Sequence, residues 1–499
     1  MAASNENRAI TLPKDADEAF AALENHDQGH LGVDEATNRR LLKKIDIHLM
    51  PFLCLVYALN FLDKTTLGYA AVMGITKPAS KGGIELSGSE YSWLGSIFYF
   101  GYLVWEYPTN RLLQYLPLGK YSALNIILWG ITLSCFAVVQ NFSQAMAVRF
   151  FLGLFEAAVT PGFALFTSQW YTKKEQGTRI GIWSSFNGVA GICGGLLAYG
   201  IARGFEDKKE GIVAWKVLFL VTGLVTVVMG VIFLWIIPDN QLNARWLSRK
   251  DRLLAIERIR SNQQGIGNRT FKIYQLKEAL LDPLTWAFVF YALMATIPNG
   301  ITTNFFSLLI KSFGYTPTES LLYGTPNGAI QILTLVSSSY LGDRYGQRIL
   351  ISSYGVVLSM IGTIIMIAVP DSHQRGRLAG AYFTGSASTG FVAILSLIAS
   401  NVAGYTKKTT VAALFLIAYC VGNIIGPQTI RGNNFLHGEI IMLVCWSACL
   451  VDLIVIWWYC KNQNNQKAQL KASPDYEKMH NQEWLDLTDK ENTEFVYTL

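Results

Sequence analysis

Twelve apolar runs, each about as long as a bilayer-spanning helix, limit what this chain can fold into. A helix needs ~20 apolar residues to cross the hydrocarbon core. The runs lie at about 47–74, 90–114, 120–140, 143–168, 179–202 and 214–237, then at about 284–310, 320–342, 347–369, 376–402, 408–430 and 437–460. Inside a bilayer each backbone polar group must be satisfied within the segment, so runs of this length fold as helices. A polar stretch from Pro238 to Asp282 divides them into two sets of six. The expected fold is an all-α membrane protein of twelve transmembrane helices in two six-helix pseudo-repeats. Its parts are an N-terminal tail (1–45), a first bundle (46–237), a linker (238–282), a second bundle (283–460) and a C-terminal tail (461–499). The linker contains WLSRKDRLLAIERIR, whose apolar residues recur at helical spacing among charges, as in a surface amphipathic helix.

Composition agrees. The 499 residues are 51% hydrophobic and only 15% charged, unlike one soluble globule. The net charge of +6 is not a nucleic-acid footprint, because the bases lie between the apolar runs. Arg39, Arg40, Lys43 and Lys44 precede the first run. The even-numbered gaps carry Arg111 and Lys120, Lys173, Lys174 and Arg179, Arg344 and Arg348, then Lys407 and Lys408. Arg375 and Arg377 break the pattern, yet the balance puts both termini in the cytosol. The seven cysteines form no C-x-x-C pair and no framework, which argues against a metal or disulfides. The six histidines make no catalytic or metal-ligating set, and there is no Gly-x4-Gly-Lys-Ser/Thr, so neither an enzyme, a cofactor nor an ATP-driven pump is expected. No cleavable signal peptide is visible in the polar N-terminal stretch.

Charges at membrane depth are costly and mark function or pairing. The fourth run carries Arg149 and Glu156 in RFFLGLFEAAVTPG. Seven residues is close to two helical turns, so both leave one face roughly 10 Å apart along the axis. Two readings fit: a structural ion pair between helices, or a proton and anion site inside a transporter. The first run carries Asp63 and Lys64 in NFLDKTTLGYA, which point roughly 100° apart on a helix and need different partners. Arg149 or Glu156 are candidates for those partners. Tyr102 and Glu106 share a face of the second run, with Glu106 nearer the cytosolic end and suited to gating or structure. Asn187 and Asn423 are uncharged hydrogen-bonding candidates in the fifth and eleventh runs, the latter before a Gly426-Pro427 step that frees carbonyls. The turn GDRYGQR holds Asp343, Arg344 and Arg348; its first-half counterpart keeps Gly119 and Lys120 but has Gln114 where the acid would stand.

Twelve runs in two sets of six with GDRYGQR in the second half resemble the major facilitator superfamily. FLDK in the first run and R-x-x-x-G-x-x-E in the fourth resemble its anion:cation symporter branch, which includes bacterial galactonate and phthalate transporters and animal sialin. FLDKTTLGYA, SIFYFGYLVWEYPTNRLLQ and NVAGYTKKTTVAALFLIAYCVGNIIGPQ resemble the fungal allantoate-permease group. The likeness spans about residues 45 to 460. It implies proton carriers at Asp63 and Glu156, with Arg149 supporting the glutamate. It implies an anion-binding base at Lys64, where many relatives have arginine, and substrate contacts at Tyr102, Asn187 and Asn423. Asp343, Arg344, Arg348 and Glu106 are the gating candidates.

The expected function is a proton-coupled symporter that imports a small organic anion by alternating access. Allantoate, ureidosuccinate, nicotinate, other vitamins, dipeptides and sulfur-containing acids all remain open. The rival is a nutrient sensor that binds the same anion without moving it. The partners expected are the anion, protons and the lipid bilayer, with no nucleic acid. The chain is expected to act as a monomer in the plasma membrane.

Overall fold

The computed structural model describes residues 34–206, 212–263, 271–430, 435–473 and 487–499. Of Gln114, Lys173, Lys174 and Asp343 it describes the backbone alone, so the gating call on the Asp343 side chain lies outside the described residues. The described residues are almost wholly helical and contain no strand. The first half comprises α1 (Glu35–Met73), α2 (Glu90–Tyr115), α3 (Leu118–Cys135), α4 (Phe142–Glu156), α5 (Val159–Trp170), α6 (Lys173–Gly204) and α7 (Ala214–Ile236). Between the halves lie α8 (Arg249–Gln263) and α9 (Ile273–Leu281). The second half comprises α10 (Pro283–Ser312), α11 (Pro317–Tyr323), α12 (Thr325–Tyr345), α13 (Arg348–Ala368), α14 (Gln374–Phe383), α15 (Ser388–Asn401), α16 (Tyr405–Gln428) and α17 (Phe435–Lys471).

Three of the twelve membrane rods are broken, each into a pair: α4–α5, α11–α12 and α14–α15. The first break has a plain cause. Pro161 lacks an N–H and its ring excludes the carbonyl four residues back, so α4 ends at Glu156 and α5 restarts at Val159. Glu156 therefore sits in the last turn before an interruption.

Ten helical spans among the described residues are apolar enough to cross a membrane by length and composition. The other two are α2, rich in Tyr and Trp, and α12, rich in Ser, Thr and Tyr. Both line the central cavity, which accounts for their polarity.

The halves repeat the same packing. In the first, α1 pairs with α6, α2 with α4 and α3 with α7; in the second, α10 pairs with α16, α12 with the α14–α15 rod and α13 with α17. Close approach between α2 and α4 requires glycine: a Cβ on Gly153 would lie 1.9 Å from the Phe98 carbonyl oxygen. Such small-residue crossings bring backbones together where lipid gives no hydrophobic drive.

The halves meet along α1–α10, α2–α16 and α6–α12. The last contact is glycine on glycine, a Cβ on Gly328 falling 2.4 Å from the Gly188 carbonyl oxygen. Hydrogen bonds between the halves lie at the end opposite the linker. Tyr91 Oη donates to Asn304 O at 2.6 Å, Ser96 Oγ to Ile424 O at 2.7 Å, and Gln428 Nε2 to Ser96 Oγ at 2.9 Å.

The linker is pinned to both bundles. On the α8 side, Asp251 takes Arg40 and Lys44 of α1, both at 2.7 Å, while Arg258 bonds Glu175 and Asn38. Burial pushes the Asp251 carboxyl up, but Lys44 and Arg40 outweigh it and hold it below the usual carboxylate range. On the α9 side, Glu278 takes Lys407 of α16 at 2.9 Å. Residues 487–499 dock on the same face of the second half. Asp489 takes Lys407 at 2.7 Å, Asn401 exchanges two hydrogen bonds with Thr498, Asn464 exchanges two with Tyr497, and Leu499 O accepts from Arg348 N at 2.6 Å.

Candidate functional site

A cavity of about 390 Å³ lies between the halves, within the range of small-molecule sites. The first half contributes Tyr57, Asn60, Lys64, Tyr102 and Asn187; the second contributes Asn299, Thr303, Asn327, Gln331, Phe391 and Tyr419. Among the described residues lining it, Lys64 is the one charged side chain. Its ammonium lies 5.7 Å from the Phe98 ring centre and 6.0 Å from that of Tyr102, within cation–π range of both.

The acids stand behind this wall, not on it. Glu156 is fully buried, and its Oε2 lies 3.6 Å from Lys64 Nζ. Asn60 joins the two: its Nδ2 donates to Glu156 Oε2 at 2.8 Å, and its Oδ1 accepts from Lys64 Nζ at 2.9 Å. Among the described residues, Glu156 Oε1 has no hydrogen-bond partner. Asp63 is also fully buried, and among the described residues neither of its oxygens has one. It lies on the side of α1 away from the cavity lining. Arg149 is buried against α2, its Nε donating to Leu94 O at 3.2 Å and its guanidinium 5.7 Å from the Phe98 ring centre. The Phe98 ring is thus within cation–π range of both cations, Lys64 and Arg149. Arg149 and Glu156 share a buried face of α4 but form no direct ion pair.

Of the substrate candidates, Lys64, Tyr102 and Asn187 line the cavity. Asn423 lies one layer back: its Oδ1 accepts from Asn299 Nδ2 at 2.9 Å, and its own Nδ2 donates to Tyr419 O at 2.9 Å. Asn299 is the residue that reaches the cavity from this pair. Of the gating candidates, three side chains are described, and their hydrogen bonds include the following. Glu106 accepts from Asn110 at 3.0 Å, Arg344 is exposed and reaches Tyr340 Oη at 3.4 Å, and Arg348 donates to Ser396 Oγ at 3.0 Å. Sequence reasoning passed over Asn60, Phe98 and Asn299. Asn60 had one signal, an amide four residues before Lys64 and so on the same helical face.

A helical bundle in two like halves, enclosing a polar cavity with buried charges, is the architecture of a membrane transporter. Residues 53–427 match the Major Facilitator Superfamily, and the chain belongs to that family. An uncharacterized transporter of Schizosaccharomyces pombe is 38% identical over 98% of this chain and 94% of its own length. The allantoate permease of Saccharomyces cerevisiae is 34% identical over 99% of this chain and 92% of its own. The thiamine pathway transporter THI73 of the same yeast is 34% identical over 92% and 86%. Among solved structures, a bacterial homolog of the human lysosomal transporter Spinster, inward-facing and unoccupied, aligns with a TM-score of 0.57 at 17% identity, covering 82% of this chain and 94% of that one. The chain is therefore a multi-pass membrane transporter of major facilitator fold.

Proposed function

We propose that this transporter is a proton-coupled symporter importing a small organic anion. The observation that carries the reading is Lys64. It is the charged side chain of the cavity lining, and it stands 3.6 Å from a buried carboxylate that competes for it. An anion in the cavity and a proton on Glu156 each relieve the other partner's demand on the lysine. Binding of the two is then mutually favourable, as symport requires. Asp63, whose oxygens find no donor among the described residues, is the second proton carrier, and Arg149 supports the glutamate. Tyr102, Asn187 and Asn423, the last through Asn299, complete the substrate site. Residues 46–237 and 283–460 rock as two bodies about the cavity, with the turn at Asp343, Arg344 and Arg348 and the buried Glu106 engaged in gating. The protein works as a monomer in the plasma membrane with both termini cytosolic. The similarity to an allantoate permease favours allantoate, ureidosuccinate or a related carboxylate as cargo.

The test is uptake into liposomes holding the purified protein, under an inward proton gradient, with radiolabelled allantoate, ureidosuccinate and nicotinate as probes. Accumulation above equilibrium that collapses with a protonophore supports the proposal. Saturable binding without flux would replace it with the sensor reading.

A further inference from the structure

We infer that Asn60 is the positioning residue that passes the protonation state of Glu156 to Lys64 by exchanging its hydrogen-bond partner. This rests on the symport reading above and names the part that links its two ligands.

Asn60 and Lys64 are four residues apart on α1, so they share the cavity face. Between a carboxylate, which only accepts, and an ammonium, which only donates, an amide can serve both in one orientation alone. That orientation is the one observed: Nδ2 faces Glu156 and Oδ1 faces Lys64. The 3.6 Å from Lys64 Nζ to Glu156 Oε2 is beyond a hydrogen bond, so the amide holds the pair apart.

Protonation changes what the carboxyl can do. A carboxylate takes one hydrogen bond from the amide and returns none. A carboxylic acid can pair with the same amide twice, accepting from Nδ2 and donating its O–H to Oδ1. Oδ1 is the atom Lys64 uses now. A proton on Glu156 therefore draws Oδ1 away from the ammonium as it cancels the charge that attracted it. The ammonium loses both partners and turns to the anion. Loss of the proton restores the amide–lysine bond and weakens the hold on the anion. Leu cannot do this, having neither donor nor acceptor. Thr cannot form the two-bonded pair.

The test needs no substrate. Infrared difference spectra of the purified full chain, stepped between pH 9 and pH 4, read carboxylic C=O bands directly. One band should vanish in Glu156→Gln, which assigns it to Glu156. In Asn60→Leu that band should persist and move to higher frequency, because the protonated acid has lost its amide partner. Asn60→Thr, a smaller polar change, should move it the same way and serves if the leucine variant is not recovered. An assigned band unmoved in these variants would overturn the role given to Asn60. No band lost in Glu156→Gln would instead remove Glu156 as a proton carrier, and with it the symport reading beneath.

Discussion

Lys64, half-buried at the cavity wall, and the fully buried Glu156 form an ion pair at 3.6 Å, close enough to attract and too far apart to hydrogen-bond. Both residues are thereby kept available, the lysine to the cavity and the glutamate to a proton.

Removing the cavity's positive charge should abolish uptake. Lys64→Ala is expected to lose transport of the probe anion while still reaching the membrane, as scored by surface labelling. Lys64→Arg should keep part of the activity, since charge persists although a planar fork replaces a point charge. Wild-type uptake by the alanine variant would exclude Lys64 as the anion site.

Glu156→Gln mimics the protonated side chain. It should lose uphill accumulation under an imposed pH gradient while retaining exchange of labelled for unlabelled anion. If it still concentrates the anion normally, the coupling proton is carried elsewhere.

Asp63 and Glu156 provide two proton carriers for one monoanion. One proton per anion moves no net charge, and the pH gradient alone drives it, at about 1.4 kcal/mol per unit. Two protons carry one positive charge inward, and the potential adds about 2.3 kcal/mol per 100 mV. Electrogenic uptake is expected. In liposomes at equal pH, an inside-negative potassium diffusion potential should drive accumulation; indifference to it leaves a single carrier.

Gly153→Leu should prevent assembly of the first half, because any side chain there meets the Phe98 backbone. Size-exclusion profiles of the solubilised protein should show loss of the monodisperse peak. Gly177→Ala, where a Cβ meets nothing within 4 Å, is the matched control.

The face of the second half nearest the linker should be acid-sensitive. Burial pushes the Asp282 carboxyl up, but Lys407 and Lys490 outweigh it and hold it below the usual carboxylate range. A group depressed on folding stabilises above its unfolded value, about pH 4, and that contribution is lost as pH falls through the folded value. The melting temperature of the solubilised protein should therefore fall below about pH 4. Lys407 is 1% exposed and serves Glu278, Asp282 and Asp489, so Lys407→Met should cost about 3–5 kcal/mol at neutral pH by stranding buried acids. An unchanged melt would show that the cluster does not hold this face.

Run length and charge placement made the fold class legible, because a bilayer admits few structures for such segments. The same physics explains the two helices that escape a hydropathy criterion: α2 and α12 face the cavity. At the site, a seven-residue spacing placed Arg149 and Glu156 on one face of α4, and both are buried there. What spacing could not supply was their neighbours. Arg149 turns to the α2 backbone, and Glu156 to Asn60, 96 residues earlier in the chain. Asn60 could be marked only by its place four residues before Lys64, which does not say that it also reaches Glu156. Asn423 was chosen from its motif, yet Asn299 intervenes before the cavity, a layering that only the packing of α10 on α16 determines.

The docked segment 487–499 sets an order of assembly for the second half. During synthesis these residues leave the ribosome after every helix of the bundle. Until they arrive, Lys407 lacks Asp489, and the amides of Asn401 and Asn464 lack the partners that Thr498 and Tyr497 bring. Membrane insertion of the helices thus precedes closure of this face, which waits for residues 487–499.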